Sequence, residues 1–262
     1  MFLKKTLGQN FLTSSAVAGE MVRAGALAPG DLVLEVGPGE GVLTELLLRA
    51  GARVVAVEKD RRLIPFLNQK FAKEIRSGRL TLIESDILKL DLSNNLQIAN
   101  YKLVANIPYY LTGALFKKFL SSPNQPSIMI VMVQKEVAER IMARDKKESI
   151  LSISVKAYGQ PKILRPVSKS FFRPRPKVDS AILIVDSISK KFFAEVGEAE
   201  FFAALRKGFS SKRKLLLSNL GVPEGERERM AGELGISPKA RAEDLSLGQW
   251  QQLAKELLNV RY

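Results

Sequence analysis

Short apolar runs rich in β-branched residues alternate with helical patterns through the first two-thirds of the chain. The runs that read as strands lie at 32–36, 54–57, 80–83, 103–105 and 128–133. The segments that read as helices lie near 15–26, 42–50, 61–73, 112–120 and 135–143. Strands that alternate with helices at this spacing indicate a mainly parallel sheet covered on both faces. The predicted fold class is therefore α/β.

Beyond these elements the pattern changes twice. The apolar runs Ile150–Tyr158 and Ala181–Asp186 have no clear helix between them, and we expect an antiparallel hairpin at the edge of a mixed sheet. After about Ser187, apolar residues recur at three- and four-residue spacing, which is typical of helices alone. The four predicted helices are Glu198–Gly208, Lys212–Leu220, Glu224–Leu234 and Leu247–Leu258. We therefore predict a first domain of residues 1–187 and a small all-α domain of residues 188–262.

The sequence contains neither cysteine nor histidine. This composition excludes disulfides, an ordinary zinc site, a thiolate nucleophile and an imidazole base. It also excludes methylation of a pyrimidine carbon through a cysteine adduct. Any catalysis must rest on carboxylates, amides, hydroxyls, backbone groups or an organic cofactor, and we expect no metal.

A formal charge of +14 indicates a polyanionic partner, because basic side chains that neutralise phosphates release counterions. The excess is uneven: residues 1–185 hold 28 basic and 16 acidic side chains. The densest stretch runs from Arg144 to Lys177, with ten basic residues against Asp145 and Glu148. Nucleic acid is the partner that this distribution favours.

No apolar run reaches the roughly 20 residues that a membrane-spanning helix needs. The first residues, Met1 to Thr6, have no apolar run behind their lysines, so they do not resemble a secretory signal. We therefore expect a soluble cytoplasmic protein without membrane contact. Nothing in the sequence indicates an obligate oligomer, and we expect a monomer.

A glycine-rich turn follows the first predicted strand of the sheet. Leu32–Val36 runs into Gly37-Pro38-Gly39-Glu40-Gly41, where the glycines allow a ligand to approach the backbone closely. The spacing is G-x-G-x-G, whereas dinucleotide sites have G-x-G-x-x-G. With Glu35 just before the loop, this favours a ligand without a pyrophosphate, and the cationic cofactor S-adenosyl-L-methionine is such a ligand.

Two further carboxylates follow the next two strands. Glu58 ends the second strand and is placed to accept hydrogen bonds from both ribose hydroxyls. Asp86 follows the third strand and is placed to accept from the adenine amine of the cofactor. Ligands of open α/β sheets bind at the carboxyl ends of the strands, where both residues are expected. The ordered set predicts an S-adenosyl-L-methionine site.

After the fourth strand comes the turn Asn106-Ile107-Pro108-Tyr109. An exocyclic adenine amine is a poor nucleophile because its lone pair is delocalised into the ring. The Asn106 side-chain oxygen and the Pro108 carbonyl could accept its two protons and favour a nucleophilic geometry. Tyr109 could stack on a base turned out of its stack. The turn therefore predicts methylation of an adenine amine through positioning and electrostatics, without a strong base.

These motifs together resemble the dimethyladenosine transferase family, which methylates adenine N6 in ribosomal RNA. The matching stretches are 8–12 (GQNFL), 35–41 (EVGPGEG), Glu58, Asp86, 106–109 (NIPY) and 172–180 (FRPRPKVDS). The resemblance covers nearly the whole chain. It implies a Rossmann-like class I methyltransferase domain with a mainly parallel mixed sheet, followed by the small all-α C-terminal domain.

The resemblance also implies roles for individual residues. Asn10 and Leu12 would border the cofactor, Gly37 would approach its methionine part, Gly39 would also bind it, and Asn106 would serve both cofactor and substrate. Phe172 would close the face of the target base opposite Tyr109. Without the resemblance, Phe171 and Phe172 would be interpreted as core residues.

Two branches of this family differ in substrate. One modifies small-subunit ribosomal RNA, and the other modifies large-subunit RNA and gives antibiotic resistance. The stretches Tyr110–Gly113 and Lys207–Lys214 resemble the small-subunit branch. That branch dimethylates two adjacent adenines in a hairpin loop near the 3′ end of 16S rRNA, which implies an immature small ribosomal subunit as the partner and a role in ribosome biogenesis. The basic stretch Arg206–Lys214 would then contact phosphates.

Three alternatives remain open from the sequence. The chain could be the large-subunit enzyme, or a ribosome-assembly factor in which methylation is secondary or lost. The intact Asn106–Tyr109 turn argues against loss. A nicotinamide-dependent oxidoreductase is the third alternative, which failure to bind S-adenosyl-L-methionine would favour.

Overall fold

The computed structural model describes residues 9–91 and 100–259. Gly8, the first residue of the 8–12 motif, and the segment Met1–Thr6 lie outside these residues. The chain divides into two compact units. The sheet unit comprises Met1–Ala138 and Gln160–Ile188, and the helical unit comprises Glu139–Gly159 and Ser189–Tyr262. The structure thus assigns residues 139–159 to the helical unit, whereas the sequence analysis had placed them in the first domain.

The sheet unit is built on seven strands in the order β4-β3-β2-β5-β6-β9-β7. β2 to β6 run parallel to one another, and β9 pairs antiparallel with both β6 and β7. A separate two-stranded ribbon pairs β1 with β8. The strands are β1 (Phe11–Leu12), β2 (Leu32–Val36), β3 (Arg53–Glu58), β4 (Leu80–Glu84), β5 (Tyr101–Asn106), β6 (Met129–Gln134), β7 (Gln160–Val167), β8 (Phe172–Arg173) and β9 (Ser180–Asp186).

Helices connect the parallel strands and cover the apolar sheet. The helices in the first part of the chain are α1 (Ser15–Ala24), α2 (Val42–Arg49), α3 (Ile64–Lys70), α4 (Ala72–Arg76), α5 (Thr112–Leu120) and α6 (Lys135–Met142). The central strands are hydrophobic almost throughout, as expected for strands buried on both faces. In β6, for example, Met129 to Val133 are all fully buried. The predicted α/β class with a mostly parallel, mixed sheet is confirmed.

The predicted strand at Ile150–Tyr158 is wrong, because this segment is a helix, α7 (Ile150–Tyr158). The side chain of Ser149 accepts a hydrogen bond from the Ser152 amide, and the Ser152 side chain accepts one from the Ser149 amide. This reciprocal capping fixes the start of a helix. The antiparallel partner of β9 is instead β7, which begins two residues after α7 ends.

The helical unit contains α7 and four C-terminal helices. These are α8 (Glu198–Gly208), α9 (Leu216–Leu220), α10 (Glu224–Glu233) and α11 (Leu247–Asn259). Its core includes a cluster of aromatic rings around Phe193 and Phe201, and the fully buried Trp250. The predicted helix at 212–220 is shorter than expected. Lys212 and its neighbours form a turn. The side chain of Asn219 stabilises this turn by donating to the carbonyls of Gly208 and Ser211.

No helix among the described residues is long and apolar enough to span a membrane.

Candidate functional site

A pocket of about 910 Å³, partly open to solvent, lies at the carboxyl ends of β2 to β5 in the sheet unit. The strand order reverses there, because the chain runs outward from β2 to β4 and then returns to β5 on the other side of β2. Crevices at such reversals are the usual ligand sites of open α/β sheets. Every predicted cofactor residue lines it: Asn10, Leu12, Gly37, Gly39, Glu58, Asp86 and Asn106.

The glycine loop needs its glycines at the pocket. Gly37 and Gly39 have φ values of +73° and +59°, a region that side chains strain to enter. A Cβ atom on Gly39 would lie 2.7 Å from the ring of Phe11, which packs directly over the loop. The loop therefore combines a left-handed backbone with a close approach from the β1 segment.

Glu58 is buried and holds the glycine loop in place. Its Oε2 accepts from the Gly39 amide at 3.1 Å, and its Oε1 accepts from the Asp60 amide at 2.8 Å. Burial raises the pKa of the Glu58 carboxyl, and the two backbone donors partly oppose that shift. Each oxygen retains acceptor capacity, since a carboxylate oxygen accepts up to two hydrogen bonds.

Asp86 lies two residues after β4, where an ion pair fixes its side chain. Its Oδ2 is 2.8 Å from Lys59 Nζ, and its Oδ1 accepts from the Leu88 amide at 3.0 Å. The hydrogen bond from Lys59 lowers the pKa of Asp86. Asp60 is paired in the same way with Arg62, which lowers the pKa of Asp60 to about 2. Both carboxylates are therefore ionised at neutral pH.

Glu35, which the sequence indicated only as an acidic neighbour of the glycine loop, is itself a pocket residue. It belongs to β2, is 1% exposed and lines the pocket, and the buried hydroxyl of Thr44 lies beside its carboxyl group. The pKa of Glu35 is raised to about 8, mainly by burial; hydrogen bonding to Thr44 opposes that shift and the charge of Glu58 adds to it. The signal in the sequence was a single charge within an otherwise apolar strand, Leu-Val-Leu-Glu-Val.

The turn after β5 brings Asn106 and Pro108 to the pocket. Asn106 Nδ2 donates to the main-chain oxygen of Asn10 at 3.3 Å, which leaves the side-chain oxygen as the acceptor. The Pro108 carbonyl accepts from the Leu111 amide at 3.0 Å within a 3₁₀ turn, and one lone pair of that oxygen remains. The two predicted acceptors for an amine thus lie at one edge of the pocket.

Tyr109 and Phe172 do not line the pocket. Tyr109 is half-buried, and its hydroxyl is 2.7 Å from Ser180 Oγ. Phe172 is 4% exposed and packs in the hydrophobic core of the sheet unit, where it pairs with Leu12 between β8 and β1. The interpretation of Phe172 as a core residue therefore describes this structure. Its role against a target base stays a prediction that requires the ring to become accessible.

The lining of the pocket is acidic. Among the described residues, one lysine, Lys59, faces it together with five carboxyl side chains, which are Glu35, Glu40, Glu58, Asp60 and Asp86. No group of three or more potential metal ligands occurs in the described part of the chain. Such a lining suits an organic cation and disfavours a pyrophosphate, which needs basic or backbone N–H donors.

The sequence profile of the ribosomal RNA adenine dimethylases matches residues 2–259. The chain belongs to this family. A protein of Dehalococcoides mccartyi named ribosomal RNA small subunit methyltransferase A is 42% identical over 255 residues, which cover 95% of this chain and 87% of that protein. A protein of the same name from Lactobacillus johnsonii is 38% identical over 97% of this chain and 90% of that protein.

Two solved structures have the same fold. The dimethyladenosine transferase of Plasmodium falciparum has a TM-score of 0.77 at 25% identity, with 95% of this chain and 98% of that chain covered. The 23S rRNA methyltransferase ErmE has a TM-score of 0.77 at 24% identity, with 95% and 99% covered. The predicted Rossmann-like class I methyltransferase fold is therefore confirmed.

As a ribosomal RNA adenine dimethyltransferase, the enzyme uses S-adenosyl-L-methionine as its methyl donor. The residues of the pocket fit this cofactor. Glu35 is a buried acid suited to a cation, and the carboxylates of Glu58, at the end of β3, and Asp86, just after β4, lie where hydroxyl and amine groups need acceptors. The alternative of a nicotinamide-dependent oxidoreductase is not supported.

Proposed function

We propose that this enzyme transfers methyl groups from S-adenosyl-L-methionine to N6 of two adjacent adenines in a hairpin loop near the 3′ end of 16S rRNA. The observation that carries the proposal is its 42% identity, over 95% of the chain, to proteins named ribosomal RNA small subunit methyltransferase A. The large-subunit alternative rests on structural likeness at 24% identity, which supports the fold alone.

For the cofactor, we assign the ends of three strands and the β1 segment. Glu58 accepts from the ribose hydroxyls with the lone pairs that Gly39 and Asp60 leave, and Asp86 accepts from the adenine amine. Gly37 and Gly39 lie against the methionine part, while Asn10 and Leu12 border the cofactor from β1. The acidic lining of the pocket and the positions of these residues in it support the assignment.

The bound cofactor supplies an electrophilic methyl group. Asn106 Oδ1 and the Pro108 carbonyl hold the two amine protons of the target adenine, which weakens delocalisation of the nitrogen lone pair. Tyr109 stacks on one face of the base and Phe172 closes the other. The methylated amine is acidic, so one proton passes to solvent without a strong base. Positioning therefore supplies most of the rate enhancement.

Exposed cations of the helical unit are our proposed contact with the RNA. Lys212, Arg213 and Lys214 are exposed on the turn that the side chain of Asn219 stabilises. Among the described residues, none of the three takes part in an ion pair. Free cations on a fixed turn bind phosphates with little ordering cost. We further propose that the substrate is an immature small subunit in the cytoplasm and that the enzyme acts as a monomer.

A methylation assay tests the proposal. Purified enzyme and labelled S-adenosyl-L-methionine are incubated with unmethylated small subunits or with large-subunit RNA, and the modified nucleoside is identified by mass spectrometry. Dimethyladenosine in small subunits alone is the expected result. Label in large-subunit RNA alone would contradict the proposed substrate. Asn106→Ala is expected to abolish the label, and retained subunit binding by that variant would indicate a separable role in ribosome assembly.

A further inference from the structure

The densest basic stretch of the sequence, Arg144 to Lys177, contains two kinds of cation. Five of its ten basic side chains are neutralised by carboxylates of the protein, namely Arg144, Lys147, Lys156, Lys162 and Arg165. Among the residues that the structure describes, the other five take part in no ion pair, and four of these lie between positions 169 and 177. These four cations belong to the sheet unit and have no role in the function proposed above.

Residues 169–179, which we call the basic loop, present three of these cations to solvent. Arg173, Arg175 and Lys177 are exposed, and the proline that separates each from the next restricts the backbone. The fourth cation, Lys169, closes the base of the loop: its amine donates to the Lys177 carbonyl at 3.3 Å and its amide donates to Asp179 Oδ1 at 2.9 Å. Asp179 is the only acid in the loop, so an excess of positive charge remains at its surface.

Hydrogen bonds hold both ends of the basic loop against residues of the proposed site. Near its start, the Phe171 carbonyl accepts from the amide and the hydroxyl of Thr13 at 2.9 and 3.0 Å. The strand β8 then pairs with β1, whose residues line the pocket. Just after its end, the Oγ atom of the fully buried Ser180 lies 2.7 Å from the hydroxyl of Tyr109. The exposed cations between these two anchors therefore lie beside the methyl-transfer turn.

An RNA substrate brings charge of the opposite sign to this place. A target adenine is joined through its ribose to a phosphate on each side, and turning the base out of its stack requires its backbone to be held. Among the described residues, the acidic lining of the pocket contains one lysine, Lys59, and it is already paired with Asp86. Guanidinium groups bind phosphate oxygens through two parallel hydrogen bonds. Arg173 and Arg175 supply such groups outside the cofactor pocket.

We propose that Arg173 and Arg175 bind the phosphates that flank the target adenine and hold its strand while the base enters the site. This inference rests on the RNA substrate of the proposed function, and it adds a contact on the sheet unit to the one assigned to the helical unit. Because the basic loop acts on the strand that is methylated, its loss should slow methylation and reduce the salt dependence of the reaction.

Two matched double variants test the basic loop. Arg173→Gln with Arg175→Gln removes two charges from the loop and leaves the buried Phe172 between the same neighbours. Arg53→Gln with Arg76→Gln is the control, because both arginines are exposed, belong to the sheet unit and take part in no ion pair in the described part of the chain. Arg53 begins β3 and Arg76 ends α4, the helix before β4, so both lie at the amino-terminal edge of the sheet, opposite the pocket.

Methylation of unmethylated small subunits is measured over a range of salt concentrations. Each contact with a phosphate of a single strand contributes about 0.7 to the salt slope, so the loop variant should lose about 1.4 from the slope of log kcat/KM. The same relation predicts a loss of roughly tenfold in kcat/KM near physiological salt. The control variant should match the unaltered enzyme in both quantities.

A second pair of measurements separates the possible outcomes. The loop variant should bind S-adenosyl-L-methionine as tightly as the unaltered enzyme in calorimetric titration, because neither arginine lines the pocket. Equal salt slopes for the loop and control variants, or a loss of cofactor affinity that accounts for the slower methylation, would overturn the inference. Absence of methylation by the unaltered enzyme would contradict the proposed function instead. Co-sedimentation with small subunits over the same salt range would then still test the loop by the same difference in slope.

Discussion

The side-chain nitrogen of Asn106 donates to the main-chain oxygen of Asn10, and this 3.3 Å hydrogen bond joins segments 96 residues apart in the chain. Asn106 ends β5, while Asn10 precedes the short β1 strand. The bond fixes the orientation of the amide, so the side-chain oxygen of Asn106 remains for a substrate amine. The bond thus links the border of the cofactor pocket to the proposed methyl-transfer turn.

Removal of the Glu58 carboxylate should weaken cofactor binding. Glu58→Gln loses a charged acceptor, and such hydrogen bonds contribute about 1.5–3 kcal/mol each, or roughly 10- to 100-fold in affinity. Calorimetric titration with S-adenosyl-L-methionine measures the change, and thermal unfolding checks the loop that Glu58 holds through Gly39. Glu84→Gln, which removes an exposed carboxyl outside the pocket, is the matched control, and equal affinities for the two variants would contradict the assignment of Glu58.

The substitution Gly39→Ala should lower cofactor affinity in addition to the stability that backbone strain removes. Gly39→Ala combines a φ of +59° with a Cβ placed 2.7 Å from the Phe11 ring, whereas Gly78→Ala has a φ of +71° with open space around it. Both should lose about 1–2 kcal/mol from the left-handed backbone. Only Gly39→Ala should also lose cofactor affinity, and denaturant unfolding with ligand titration separates the two effects. Similar affinities in the two variants would show that the approach of Phe11 does not shape the pocket.

Glu35 should make stability depend on pH. Its pKa rises from 4.5 to about 8 on folding, so the folded state binds more protons between these values and the free energy of unfolding falls as pH increases through that window. The slope is at most about 1.4 kcal/mol per pH unit. Glu35→Gln lacks this component, so its stability relative to the unaltered enzyme should increase from pH 5 to 8 and then stay constant. Urea denaturation of both proteins at several pH values tests this. If the difference between their free energies of unfolding did not change with pH, the Glu35 carboxyl would be solvated and its pKa would not be raised.

Charge reversal on the turn of the helical unit should weaken RNA binding. The double substitution of Lys212→Glu and Arg213→Glu removes two phosphate contacts, and each contributes about 0.9 to the slope of log K against log salt concentration. The expected loss of slope is therefore about 2. The control carries Lys191→Glu and Lys239→Glu, two exposed lysines of the same unit with the same change in net charge. Equal salt slopes for the two proteins would show a general charge effect only.

Two glycines of the helical unit should respond in opposite directions to alanine. A Cβ on Gly208 would lie 2.5 Å from the ring of the buried Trp250 and 2.8 Å from Leu216, so Gly208→Ala should destabilise by about 1–3 kcal/mol. Gly232 lies in α10 with nothing within 4 Å of the added atom, so Gly232→Ala should stabilise by about 0.5–1 kcal/mol. Thermal unfolding distinguishes the two. An unchanged melting temperature for Gly208→Ala would mean that α8 and α11 separate easily.

Local signals in the sequence determined the sheet and most of the pocket. Alternation of strands and helices predicted the parallel core because each element needs only its own pattern of apolar residues. The glycine loop, Glu58 and Asp86 could be placed together because the carboxyl ends of parallel strands meet at one edge. The predicted first residues of β2 and α5, Leu32 and Thr112, are those of the structure, because local patterns of apolar residues define both elements.

Only the tertiary structure decided the features that depend on distant neighbours. The pattern at Ile150–Tyr158 fits a strand or a helix equally, and reciprocal capping by Ser149 with burial in the helical unit selects the helix. Phe172 became a core residue because β8 pairs with β1, about 160 positions earlier in the chain. Burial of Glu35 arises from the elements packed around β2. A local pattern does not encode which distant segments meet, because that depends on the packing of the whole chain.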